Sequence, residues 1–205
     1  MTETRAEQKV RTRRAILDAA LALSADSGLA TLSLRSVTRE VGIVPTAFYR
    51  HFASVDEVGL ALVDESFVSL RAMLRAVREP AALDDMLALA DTSVRVLAEH
   101  VRAQQAHFGF IARERVAGPP AVRAAIRREI ELCEHELTTD LARLSGTRTW
   151  SNADLSALST LIVRLMVAAV EELLDVAPAR ADAVVSATRT RLRMVLIGAV
   201  NWRSA

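Results

Sequence analysis

Between Gly42 and Gly59 the chain reads "IVPTAFYRHFASVDEV", and Thr46, Tyr49, Arg50 and His51 gather a hydroxyl, a phenol, a guanidinium and an imidazole within six residues. Their chemistry is that of hydrogen-bond donors to anions and to polar edges. A helix sorts them by face. At about 100° per residue, Phe48 and Phe52 lie about 40° apart and must face a core, while Thr46 and Arg50 lie roughly opposite. Tyr49 and His51 project to the two flanks. If such a helix lies in a DNA groove, Thr46 and Arg50 point to the bases. Tyr49 and His51 reach the phosphates on either side. Ala47, on the outward side, is small enough to permit close approach or to touch a thymine methyl.

The elements that would hold these residues are also legible. Ile16, Leu17, Ala20 and Leu23 recur at helical spacing, and Gly28 follows as a C-cap, which predicts a first helix over 12–27. Ser33 caps a second helix of about two turns that carries Leu34, Val37 and Val41 on one face and closes at Gly42. Ser33 and Arg35, at its start, are further candidate phosphate donors. Pro45 suits the first position of a third helix running to about Phe52, because its missing N–H is not needed there. Ser54 and Glu57 form an S-x-x-E capping box that opens a fourth helix. Two short helices about a glycine turn, with another packed before them, make a helix-turn-helix, whose second helix enters the major groove.

Composition narrows the rest. The chain has 205 residues, half of them hydrophobic, with seven Gly and five Pro, too few turn residues for many short strands. An all-α fold is expected, with a helix-turn-helix domain over 1–54 and a helical domain over 55–205. Further helices are predicted at 56–78, 82–102, 104–116, 120–145, 152–176 and 180–203. They are separated by Pro80, "AGPP" at 117–120, "SGTRTW" at 145–150 and Pro178, with Ser151 and Asp154 as a second capping pair. Cys133 is the single cysteine and the N-terminus lacks a secretory apolar run, so a cytoplasmic protein is expected. The longest apolar run, 155–170, is interrupted by Arg164 and reads as a buried helix, not as a membrane span. Net charge is +1, yet residues 1–53 hold eight Lys or Arg against five Asp or Glu, with Lys9, Arg11, Arg13 and Arg14 bunched together.

No catalytic pattern is present: there is no G-x-S-x-G, no P-loop and no Cys-x-x-Cys. Glu131 and His135 stand one helical turn apart, which by itself is a surface pair and no metal site. No enzyme, cofactor or metal is expected. A helical interaction protein without DNA binding is the rival class. The last two helices are apolar on more than one face. Leu155, Leu158, Ile162, Leu165 and Ala169 form one stripe, and Leu192, Val195, Leu196, Ala199 and Val200 mark another. Pairing these stripes with their copies in a second subunit gives a four-helix homodimer interface.

The segment "SLRSVTREVGIVPTAFYRHFASVDEVGLALVDES" resembles the DNA-binding domain of the TetR family of bacterial repressors. That resemblance implies a homodimer on a palindromic DNA operator, released when a small molecule occupies the C-terminal domain. One departure is Val44, which stands where many members carry a hydroxyl N-cap; Thr46 can take over part of its phosphate contact. The family's ligand site would fall within 82–145. There Phe108, Phe110 and Ile111 offer an apolar lining, and Arg113 or Arg115 a partner for an anionic head group. More narrowly, "GIVPTAFYRHF", "VDEVGLALVDES" and "ARERVAGPPAVRAAIRREI" resemble the repressors of unsaturated fatty acid and membrane lipid synthesis. The effector implied is a long-chain acyl thioester, acyl-CoA or acyl-carrier protein. A drug-like aromatic ligand, as in regulators of efflux or detoxification genes, suits the same lining.

Overall fold

A computed structural model describes residues 4–77, 86–144, 147 and 149–203. Helix α1 (Arg5–Ser27) starts well before the expected Thr12. Thr4 and Glu7 close a capping box there: the Thr4 hydroxyl accepts from the Glu7 N–H at 3.2 Å, and the Glu7 carboxylate accepts from the Thr4 N–H at 2.8 Å. Apolar periodicity begins only at Ile16, so it could not register these exposed polar turns. Ile16, Leu17 and Ala20 are buried as expected. Gly28 ends the helix at φ 77°, its N–H reaching Ser24 O at 3.0 Å.

A 3-10 turn (Leu29–Thr31) leads to α2 (Leu34–Val41), which Ser33 caps. Gly42 follows in the left-handed region, at φ 73° and ψ 31°, where a side chain would be strained. The short α3 (Pro45–Phe48) comes next, then α4 (Val55–Val77). Ser54 accepts the Glu57 N–H at 3.1 Å as expected, but the Glu57 carboxylate reaches back to the N–H of Ala53. The remaining helices are α5 (Met86–Ala103), α6 (Gln105–Ala117), α7 (Pro120–Leu141), α8 (Asn152–Asp175) and α9 (Ala181–Val200). Among the described residues every regular element is helical. Pro80 and the expected helix start at 82 lie outside the described residues, as do Ser145, Gly146 and Arg148.

The chain packs as two units, one of residues 1–68 and 106–127, the other of 69–105 and 128–205. The first unit therefore takes in α6 and the start of α7 as well as the segment 1–54. Its buried residues include Val37, Phe48, Phe52, Val58, Leu62, Val122 and Ile126.

The second unit holds two apolar clusters. In one, Ala90 and Val94 of α5 meet Leu192 and Leu196 of α9. In the other, Leu141 and Leu144 meet Leu155 and Leu158 of α8 and Ala199 of α9. Ion pairs border them. Arg193 holds Asp91 through two bonds, of 3.1 and 2.6 Å, and Arg189 stands 3.5 Å from the same carboxylate. This packing encloses part of the expected subunit interface within the chain itself. Leu155, Leu158, Ala169, Leu192 and Ala199 are buried inside the single chain, and Ile162, Leu165 and Val195 are partly buried against the same clusters. A side chain already enclosed by its own helices has no surface left for a partner. The apolar residues that do face outward are Leu161 of α8 and Met194, Ile197 and Val200 of α9, each more than half exposed. Helix α8 is long and apolar enough to cross a membrane by length and composition alone. Within the single chain it is buried along one face.

Candidate nucleic-acid interface

The polar cluster sits at the end of a very short helix. Val44 provides no side-chain cap, Pro45 occupies the first turn, and α-helical structure stops at Phe48, earlier than the expected Phe52. From there the chain tightens: the N–H of Arg50 reaches Ala47 O at 3.2 Å and that of His51 reaches Phe48 O at 2.8 Å, both three residues back. Such bonds let a helix end satisfy its last carbonyls in little space. The two phenylalanines fix the segment. Phe48 and Phe52 are 0% and 1% exposed, with ring centroids 6.0 Å apart.

Helix α1 closes the far end of this turn. The Arg13 guanidinium lies 4.1 Å over the Phe52 ring and donates to His51 O at 3.0 Å. A cation on an aromatic face and a bond to a terminal carbonyl hold the turn against α1. Arg13 was legible only as one of a basic bunch. Its signal was its spacing, four residues after Lys9 on one helix face, since both charges bear on His51. Arg14, its neighbour, is tied to Asp18 at 2.5 Å and to Glu65. Arg13 and Arg14 of this bunch therefore serve internal contacts.

The polar side chains of this segment differ in exposure. Thr46 and Arg50 are exposed and Ala47 is half-buried. Tyr49 is 60% exposed and meets Phe48 edge-on, its centroid 5.8 Å away, so the ring is steadied at its base and open at its hydroxyl. His51 is half-buried. Its Nδ1 is enclosed without a hydrogen-bond partner, so a donor role falls to Nε2. Burial, and then the charges of Lys9, Arg13 and Arg50, hold the imidazole pKa below its ordinary 6.5. Arg35 is exposed at the start of α2. The Ser33 hydroxyl is engaged in its cap, accepting from the Ser36 N–H at 3.0 Å.

The residues expected to line a ligand site are divided. Phe110 is buried, while Phe108, Ile111 and Arg115 are half-buried on α6. Arg113 reaches back to α1. Its Nη1 donates to Ser24 O of α1 at 2.7 Å, so that guanidinium is already satisfied by a helix-end carbonyl. Glu131 and His135 are both exposed. Near His100 and Gln104, sequence spacing did not anticipate a small polar cluster. Gln104 donates to the Ser69 hydroxyl at 2.9 Å, and that hydroxyl lies 3.3 Å from His100 Nε2. Burial lowers the His100 pKa.

Residues 16–62, which contain α2, the Gly42 turn and α3, match the family model of the bacterial regulatory proteins of the tetR family. Solved structures agree over nearly the whole chain. GusR of Salmonella enterica is 20% identical with a TM-score of 0.71, covering 92% of this chain and 96% of its own. The fold is TetR-like. The multidrug binding protein EbrR, complexed with malachite green, is 20% identical with a TM-score of 0.67, over 89% of this chain and 96% of its own. FadR of Bacillus subtilis, in complex with stearoyl-CoA, is 14% identical with a TM-score of 0.64, over 86% and 97%. The tetR match ends within α4.

Proposed function

We propose that this chain is a cytoplasmic DNA-binding transcriptional regulator, a repressor and not an enzyme, that binds a palindromic operator as a homodimer and answers to a small apolar ligand. One observation carries the reading: Thr46, Tyr49 and Arg50 stand exposed on a turn whose inner side is locked by two fully buried phenylalanines. Polar groups held that rigidly are preorganised for a partner rich in acceptors, and the duplex groove is one. Residues 1–54 are the DNA-binding part and 55–205 the ligand-binding and dimerising part. Thr46 and Arg50, with Ala47 beside them, face the bases, and Tyr49, His51, Arg35 and Ser33 face the phosphates. The outward Leu161, Met194, Ile197 and Val200 form the dimer face, because an apolar strip of this kind is stable in water when covered.

For the ligand, FadR is in complex with stearoyl-CoA and EbrR with malachite green, so similar folds accommodate both. We assign the acyl thioester, acyl-CoA or acyl-carrier protein, on the strength of the sequence resemblance across both domains, with control of lipid genes as its consequence. A drug-like effector is the alternative. The function is tested by titrating the protein with duplexes from upstream of its own gene at two salt concentrations. Affinity should fall steeply with salt as phosphate contacts release counterions. Thr46→Ala should cost about 1–3 kcal/mol on the preferred operator and little on mismatched ones. Binding that is absent or indifferent to salt on every fragment refutes the regulator reading.

A further inference from the structure

Packing does not account for the first turns of α1. From Thr4 to Arg14 no side chain is buried, and the core begins only at Ile16, which has no exposure. A helix end that covers no apolar surface is marginal in water, yet this one opens on the closed Thr4–Glu7 capping box. Its charges are sorted by side. At about 100° per residue, Arg5, Lys9 and Arg13 fall within an arc of about 80°. Glu7, Arg11, Arg14 and Asp18 lie on the opposite side, roughly 140–200° round the helix from Lys9.

The acids on the far side are engaged there. The Glu7 carboxylate accepts from the Thr4 N–H at 2.8 Å and from the Thr4 hydroxyl at 2.9 Å, and Asp18 holds Arg14 at 2.5 Å. Among the described residues of α1 the near side carries no acid. Arg13 fixes which way that side faces. Bonded to His51 O at 3.0 Å and laid over the Phe52 ring, it joins the near side to the end of the recognition turn, the segment that carries Thr46, Tyr49 and Arg50. Lys9 and Arg5, both exposed, continue the line away from Arg13 in steps of about 6 Å. The charge of Lys9 bears on His51 together with those of Arg13 and Arg50. A ridge of like charge costs the free protein a repulsion that a polyanion relieves.

Resting on the DNA-binding reading above, we propose that Arg5 and Lys9 form a second phosphate-binding surface, a ridge on α1 that takes the duplex backbone beside the groove entered by the recognition turn. Thr46 and Arg50 read bases, whereas the ridge holds phosphates and carries no sequence information. Arg13, engaged internally, links the two surfaces within one packed unit. The capped helix therefore serves as a rigid arm, and its exposed polar turns gain a partner.

Salt dependence separates the ridge from net charge. Wild-type protein selects a duplex from a random pool, and affinity for that duplex is measured across a salt series beside Lys9→Gln, Lys9→Arg and Arg11→Gln. Lys9→Gln and Arg11→Gln each remove one charge, from exposed positions two residues apart on opposite sides of α1. Lys9→Gln should reduce the slope of log affinity against log salt by about 1 for each subunit bound, and Arg5→Gln should add a similar step. Arg11→Gln should leave the slope unchanged, and Lys9→Arg should keep the wild-type value. The loss in Lys9→Gln should be equal on matched and mismatched duplexes, with an unchanged thermal midpoint. A Lys9→Gln slope equal to wild type overturns the ridge. So does an equal fall in Lys9→Gln and Arg11→Gln, which would reduce the effect to net charge. In both cases the wild type still selects its duplex, and the DNA-binding reading stands. A wild-type protein that selects no duplex overturns that reading, and the ridge falls with it.

Discussion

The recognition turn and the α8–α9 pair are built on opposite plans. In the turn, two buried aromatic rings face inward and polar groups face out. In α8 and α9, aliphatic residues fill the inner face and further aliphatic residues remain on the outer one. A polar group in water is already satisfied and exchanges one partner for another at little net cost. An exposed aliphatic strip has no such partner. It gains about 25 cal/mol for each Å² that a second surface covers. On the proposed function the first surface makes selective, salt-sensitive contact and the second associates with a copy of itself.

The largest expected effect comes from removing the inner anchor of the turn. Phe48→Ala should cost about 3–5 kcal/mol of stability, measured by urea denaturation, since it empties a site with no exposure. Tyr49→Ala, one residue on and mostly exposed, should cost far less stability and still weaken DNA binding. If the two variants unfold at the same urea concentration, the division between anchor and presented face is wrong.

A second pair of variants separates the two apolar faces of α9. Leu192→Ala should destabilise the chain by about 2–5 kcal/mol, as for a buried aliphatic side chain. Met194→Asp, two residues further and 68% exposed, should leave the fold of the subunit intact and shift the protein from dimer to monomer in sedimentation. A Met194→Asp protein that sediments as a dimer would remove this face from the interface.

The same contrast explains what could be read from sequence. Phe48 and Phe52 are large, few and four apart, so their spacing permits only one inward face, and the exposure of Thr46 and Arg50 follows. In α8 and α9 every candidate stripe is aliphatic. Periodicity shows that both faces avoid water but not which one a neighbouring helix of the same chain already covers. Leu155, Leu158 and Leu192 were thereby taken for a partner's surface. The early start of α1 and the early stop of α3 were hidden for a related reason: each is decided by hydrogen bonds at a helix end, Thr4 with Glu7 and Arg13 with His51, and not by a pattern of burial. The Arg113 bond to Ser24 O was hidden likewise, because an arginine near a helix end serves a ligand or a carbonyl with equal ease until the other helix is in view.

The smallest effect tests the edge between the two faces of the turn, where His51 stands. Burial and the charges of Lys9, Arg13 and Arg50 hold its pKa below 6.5 in the free protein. For folding, the unfolded chain binds the proton more readily, so this contribution to stability is complete above pH 6.5 and is lost as pH falls through the depressed pKa. For DNA binding the sign is reversed. A phosphate beside Nε2 favours the imidazolium and raises the pKa in the complex, so binding takes up a proton and tightens as pH falls from the complex value toward the free value. Operator affinity should therefore be higher at pH 6 than at pH 8, and His51→Gln, which keeps a donor but cannot titrate, should flatten that dependence while binding persists. A wild-type pH profile identical to that of His51→Gln would place His51 away from the phosphates and leave Tyr49 as the flank that touches DNA.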